Sequence, residues 1–183
     1  VHFLMAMLAY SLFTLAALHD VGKITLGFLA KCPAWLSRPD SPKVSPGEIV
    51  LTVSDHALVS QVFLQRHLTV AARLWAVAVG AHHGRPKGRN AKFPSIECHS
   101  EWAERPRLQL MQELSALFGV PPNGPPESRF APYHSDIWLL AGLITVADWI
   151  GSNETWFSPA SGLPLEKQSA FSGQVSCPVC VPQ

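Results

Sequence analysis

From Phe3 to Leu18 the chain is mostly Leu, Ala, Met and Phe, with no glycine or proline. Residues of that kind favour helix. Gly22 then marks a break or a tight approach of two helices. Pro33, Pro39, Pro42 and Pro46 forbid a long helix over Cys32–Gly47 and predict an irregular connection. Residues 55–81 return to a helical pattern, read as two helices that meet near His67-Leu68-Thr69, with Gly84 closing the second. In Glu101–Phe118 the apolar residues Leu108, Met111, Leu114, Leu117 and Phe118 have the spacing of an amphipathic helix. Residues 120–132 are dense in proline and glycine, and Ile137–Ile150 is a strongly apolar helix broken only by Gly142. After Phe157 serine, proline and glycine dominate, and a poorly packed tail is expected. No alternating strand pattern and no repeat is found. The expected fold class is all-α.

Composition narrows the classes. The 183 residues suit one domain with a sizeable core. A hydrophobic fraction of 48% with 15% charged residues excludes a disordered chain. The net charge of +1 gives no global attraction to nucleic acid, so any such binding needs a local patch. Arg85, Lys87, Arg89 and Lys92 form one candidate patch, a basic loop without an acid. The apolar run Phe3–Leu18 is interrupted by Tyr10, Ser11 and Thr14. It falls short of the roughly 20 residues a membrane span needs, and no basic region precedes it as in a signal peptide. It reads as a buried core helix, and no membrane partner is expected. Cys32, Cys98, Cys177 and Cys180 make no disulfide framework, which fits a reducing, cytoplasmic setting. Cys177 and Cys180 form a CxxC, half of a zinc site, with Cys32, Cys98 and His99 as the residues that could complete it.

Eight histidines are more than a domain of this size needs for structure. His19-Asp20 ends the first apolar run, so an imidazole and a carboxylate can both reach into one cavity. A carboxylate can bridge two cations, and imidazole suits Mn, Fe, Co, Ni and Zn. Lys23, three residues on, would face the same side as Asp20 and could neutralise a phosphate oxygen. His82-His83 ends another helix, and paired neutral imidazoles in a core need partners that a metal can supply. Asp148 lies near the C-terminal end of an apolar helix, where both burial and the helix dipole call for a compensating cation. Ser152 points to the same side as Asp148. His56 and Ser60 share a helix face. Each of these taken alone has a bland explanation as a helix-end ion pair, a surface histidine pair or a structural residue.

Together, the order His-Asp, His, His-His, Asp is that of an HD superfamily metal-dependent phosphohydrolase. The segments HDVGK, HALVS, AHHG and ADWIGSNETWF, over roughly residues 15–158, resemble the HD nuclease domain of the CRISPR-associated type I helicase–nuclease. The resemblance implies an HD-domain helical bundle with a metal site between helices. It implies a metal-dependent endo- and exonuclease that cleaves single-stranded DNA in CRISPR interference, an antiviral defence. His19, Asp20, His56, His82, His83 and Asp148 match the metal ligands, with Asp20 as the bridge between ions. Lys23 and Ser152 match positions that support the scissile phosphate. The implied cofactor is one or two divalent transition-metal ions (Mn, Ni, Co or Fe, with Mg as a further candidate). The implied partners are single-stranded DNA, a CRISPR helicase domain or subunit, and a surveillance complex. Two cations about 3.5–4 Å apart can clamp a phosphodiester for in-line attack by an activated water.

The expected organisation is an HD nuclease domain over residues 1–160 and a flexible tail or linker over 161–183. The family also carries a histidine on an earlier helix. The only earlier histidine here is His2, which would lie about 25 Å from His19 along a single helix. The chain is therefore expected to lack that helix and its ligand. Two alternatives stand beside the nuclease: an HD phosphohydrolase acting on small nucleotides, and a non-catalytic remnant.

Overall fold

The computed structural model describes residues 14–39, 41, 55–70, 72–93, 100–121 and 134–153. Most of the Phe3–Leu18 run, the Pro/Gly-rich segment from 122, the tail after Phe157 and three of the four cysteines (Cys98, Cys177 and Cys180) fall outside those residues. Among the described residues there are helices and turns but no strand. Residues 14–17 are helical and lead through a turn into a single 3-10 turn, Val21–Lys23. There follow α1 (Leu26–Leu29), α2 (Pro33–Leu36), α3 (His56–His67), α4 (Arg73–Gly80), α5 (Glu101–Phe118) and α6 (His134–Gly151).

The centre of the bundle is α4. Trp75, Ala76, Val77, Ala78, Val79 and Gly80 are all buried, so this short helix is enclosed from Trp75 onward. It packs against α3 and α6, while α3 also packs against the 3-10 turn. Phe63 and Leu64 of α3, Met111 of α5, and Ile137, Leu140, Ala141 and Ile144 of α6 complete one core with Leu15, Leu18 and Val21. Burying each of the larger side chains contributes about 1.5–3 kcal/mol.

Two glycines set the closest approaches. A Cβ on Gly80 would lie 2.0 Å from Gln61 Oε1, and one on Gly22 would lie 2.0 Å from the His56 carbonyl oxygen and 2.7 Å from the Ser60 nitrogen. The tight approach anticipated at Gly22 is thus a turn laid on the backbone of α3. The Gly22 N–H donates to Ser60 Oγ at 2.8 Å and fixes the register. Asp55 caps α3 by accepting the Leu58 N–H at 3.1 Å.

The pattern of α5 needs correction. Its buried line is Ala103, Arg107, Met111 and Ser115, a strict four-residue spacing. Leu108 and Leu114 are partly buried beside it, whereas Leu117 is 72% exposed. The apolar reading missed the line because half of it is polar. Arg107 is fully buried and donates to the Ile24 carbonyl just after the 3-10 turn. The proline-rich connection also contains a short helix, α2, which opens on Pro33; proline fits a first helical position because its missing N–H would be unpaired there. No helix among the described residues is long and apolar enough to cross a membrane.

Candidate metal centre

Four pieces of backbone converge on one cavity. The turn after residues 14–17 brings His19 and Asp20, and the first residue of α3 brings His56. The turn after α4 brings His82 and His83, and the last turn of α6 brings Asp148. The anchors are local. Gly22 on Ser60 holds the Asp20 turn against His56. Gly84, with φ +75°, closes the turn after α4, its N–H donating to the Ala81 carbonyl at 2.7 Å. Thr145 Oγ1 donates to the carbonyls of His82 and Ala141, which ties α6 to the histidine turn.

Tautomers follow from the partners. His19 Nδ1 lies 2.7 Å from the Ala16 carbonyl, and His82 Nδ1 contacts the Val79 carbonyl. A carbonyl oxygen can only accept, so both rings carry a hydrogen on Nδ1 and turn Nε2 into the cavity. Both Nε2 atoms are buried without a hydrogen-bond partner. Buried polar atoms are rarely left so. His56 Nε2 and His83 Nε2 face each other at 2.9 Å, where two lone pairs repel unless a proton or a cation lies between them.

The Asp20 carboxylate spans the cluster. Its Oδ1 lies 3.3 Å from His56 Nε2, and its Oδ2 lies 3.2 Å from His19 Nε2 and also receives the Lys23 ammonium. Asp148 Oδ1 stands 3.4 Å from His19 Nε2. Donor atoms of His56, His82 and His83 lie within 4.8 Å of one another, as do those of His19, Asp20 and His82. First-shell bonds of about 2.0–2.3 Å put two donors on one ion at most about twice that apart. The residues fit a divalent cation, with His82 between the two groups.

The electrostatics favour ligands ready to bind. Burial lowers the His56 pKa to about 4; Asp20 opposes this, while Lys23, His83 and His82 reinforce it. Burial also lowers that of His82, against the pull of its bond to Val79. Burial opposes the charged form of Asp20 as well, but His19 and Lys23 hold its carboxyl well below the usual range. His19 goes the other way. Burial would lower it, yet Asp20, the Ala16 carbonyl and Asp148 raise it above its ordinary value.

Two expected groups are placed differently. Ser152 is exposed, and its hydroxyl donates to the Asp148 carbonyl at 2.6 Å, a bond within its own helix end. The basic loop does not present four free cations: Lys87 Nζ pairs with Asp55 Oδ2 at 2.6 Å. Asp55 escaped the sequence reading because it lies 32 residues away in the chain. Arg85, Arg89 and Lys92 are exposed. The loop backbone is pinned to α3 by Gln61 on the Gly88 carbonyl (2.6 Å) and Gln65 on the Arg89 carbonyl (2.8 Å). Thr145 and Arg107 were missed. A threonine three residues before Asp148 on one helix was a readable hint, but nothing in the sequence marked Arg107.

The family described as Cas3, HD domain, matches residues 6–157. The chain belongs to this family. The Cas3 HD domain accounts for both the helical bundle and the His/Asp cluster. A CRISPR-associated endonuclease/helicase Cas3 from Thermus thermophilus is 26% identical over 152 residues, which is 78% of this chain and 16% of that protein. The chain thus spans about a sixth of that relative's length. No solved structure matches it. As a member of that family the chain is an HD domain of the Cas3 type.

Proposed function

We propose that this chain cleaves the phosphodiester bonds of single-stranded DNA in CRISPR interference, alongside a helicase domain or subunit and a surveillance complex. The observation that carries this is the Asp20 carboxylate, set between His19 and His56 beside two buried imidazole nitrogens that have no hydrogen-bond partner. In this reading His56, His82, His83 and Asp20 hold one ion. His19, Asp148 and Asp20 hold the second, with His82 near enough to share. Bound divalent cations supply charge neutralisation at the phosphoryl oxygens and lower the pKa of water near pH 7.

The protein's own part is positioning. Asp20 stays ionised and His56 stays neutral well below pH 7, while burial biases His82 toward its neutral form, so these ligands favour the forms that bind a cation. The Lys23 ammonium neutralises the Asp20 oxygen nearest His19. A cation at that oxygen would free the ammonium for a non-bridging oxygen of the scissile phosphate. His83 is exposed and Asp20 and Asp148 are partly so, which leaves the cavity open to a polymer. The exposed Arg85, Arg89 and Lys92 beyond His83 favour a polyanion over a small nucleotide.

Incubating the chain with manganese or nickel and circular single-stranded DNA tests the proposal. Metal-dependent nicking, with mononucleotides left intact, is expected. Hydrolysis of mononucleotides without DNA cleavage would contradict it.

A further inference from the structure

Beside the cluster lies an aromatic ring that the core does not use. Phe28, in α1, is only partly buried, and α1 contributes no buried residue to the fold. Leu26, Phe28 and Leu29 all lie outside the hydrophobic core as it is formed by the described residues. Thr25 caps the helix, its Oγ1 accepting the Phe28 N–H at 3.4 Å, so the ring is carried on a defined turn. The Phe28 ring meets His56 edge-on, with centroids 5.3 Å apart. Two ammonium groups attend it: Lys31 Nζ lies 4.7 Å from the ring centroid and Lys23 Nζ lies 5.6 Å away.

We infer that Phe28, flanked by Lys23 and Lys31, is a stacking platform for a nucleobase next to the cleavage site. The inference rests on the nuclease reading above and specifies how the polymer is held. An aromatic ring with cations around it is the pairing that single-strand binders use, because every base has a π-face and every linkage a phosphate. The geometry orders the parts. Lys23 touches both Asp20 and the ring side, so a phosphate at Asp20 and a base on Phe28 would be neighbours in one strand. Lys31 is exposed and free to move from the ring to a phosphate once a base arrives. A ring serving only to shield His56 would need neither cation. The site takes one unpaired base of any identity, so it selects single strands over duplex, whose bases are already stacked.

The test is binding of the full chain, without metal, to oligothymidylate and to an abasic deoxyribose-phosphate oligomer of equal length. Both carry the same charge, so their affinity ratio reads bases alone. Stacking one base on an aromatic ring changes affinity by about ten- to a hundredfold. The unaltered chain should prefer the thymidylate by at least about tenfold. Phe28→Ala should remove about tenfold of that preference, and Phe28→Trp should keep it. Equal affinity for the two oligomers in the unaltered chain would overturn the inference without involving any variant. An undiminished preference in Phe28→Ala would overturn it as well. The readout needs no catalysis, so the two proposals separate. DNA cleavage with no base preference removes the platform alone, whereas base preference with no metal-dependent cleavage removes the nuclease reading alone.

Discussion

The His/Asp cluster and the basic loop at 85–92 sit next to each other in sequence and in space, yet they obey different physics. In the cluster, six side chains from four backbone segments turn toward one centre, all but His83 lose most of their water, and two nitrogens are left unpaired. In the loop, three of four cations point to solvent and the fourth is neutralised by Asp55. Convergence with desolvation makes a site whose energy is large and specific to a cation. Dispersed, solvated charge makes a surface whose energy is small, additive and screened by salt. Counting histidines and lysines along the chain gives both the same weight. Only the fold separates them.

The largest effect should come from the cluster's centre. Asp20→Ala removes the carboxylate shared by both halves, so metal binding and cleavage should fall together. The loss should exceed the ~10–100-fold typical of an outer-shell partner. Lys23→Ala should slow cleavage without weakening metal binding, since it removes a cation from the Asp20 oxygen. Equal metal loss in the two variants, read by calorimetry, would erase the distinction between ligand and helper.

Next is the scaffold that brings the cluster together. Gly22→Ala places a methyl group 2.0 Å from the His56 carbonyl oxygen, and backbone must move to admit it. The expected cost is about 1–3 kcal/mol in urea unfolding, with weaker metal binding as Asp20 and His56 separate. A basic-loop variant should show neither effect.

Proton release gives a finer contrast. His19 has a raised pKa, so without metal it contributes stability below its ordinary value of 6.5 that is lost as pH rises through the raised one. His56, lowered to about 4, does the reverse, and its contribution is lost as pH falls from 6.5 toward 4. A cation held by His19, Asp20 and Asp148 must therefore displace the His19 proton, whereas His56 is already neutral near pH 7. The affinity for the looser manganese ion should rise by about tenfold per pH unit near pH 6 and level off above the His19 value. A steeper slope would mean that more than one imidazole is charged in the free protein.

The smallest effect belongs to the loop. Neutralising Arg85, Arg89 and Lys92 should flatten the salt dependence of single-strand binding by up to about 0.7 for each phosphate no longer neutralised. Lys87→Gln should leave that slope unchanged, because Lys87 is engaged by Asp55. A full contribution from Lys87 would mean that DNA displaces Asp55.

The legible parts of this molecule were those written locally. Helix type and the division near His67 came from periodicity and from glycine and proline, and α5 begins and ends at the residues its pattern indicated. The candidate ligands were readable because each ends or begins a helix, and because HDVGK and ADWIGSN are specific as segments. What stayed hidden depends on distant pairs. Asp55 meets Lys87, Arg107 reaches Ile24, and Thr145 reaches His82 across separations that no periodicity encodes. Ser152 adds a local case: its hydroxyl donates to the carbonyl of Asp148 four residues before it, a bond that the identity of the residue alone does not announce.

The central claim is that these side chains form a cation site. Calorimetric titration of the chain with manganese or nickel tests it most directly. His56, His82, His83 and Asp20 give a first ion four protein ligands, while the second depends on His19, Asp148 and the shared Asp20, a smaller set. The predicted isotherm has one tight ion per chain and a second bound much more loosely, and both should vanish in Asp20→Ala. Absence of any binding in the folded, unaltered chain, or tight binding that survives Asp20→Ala, would contradict the account.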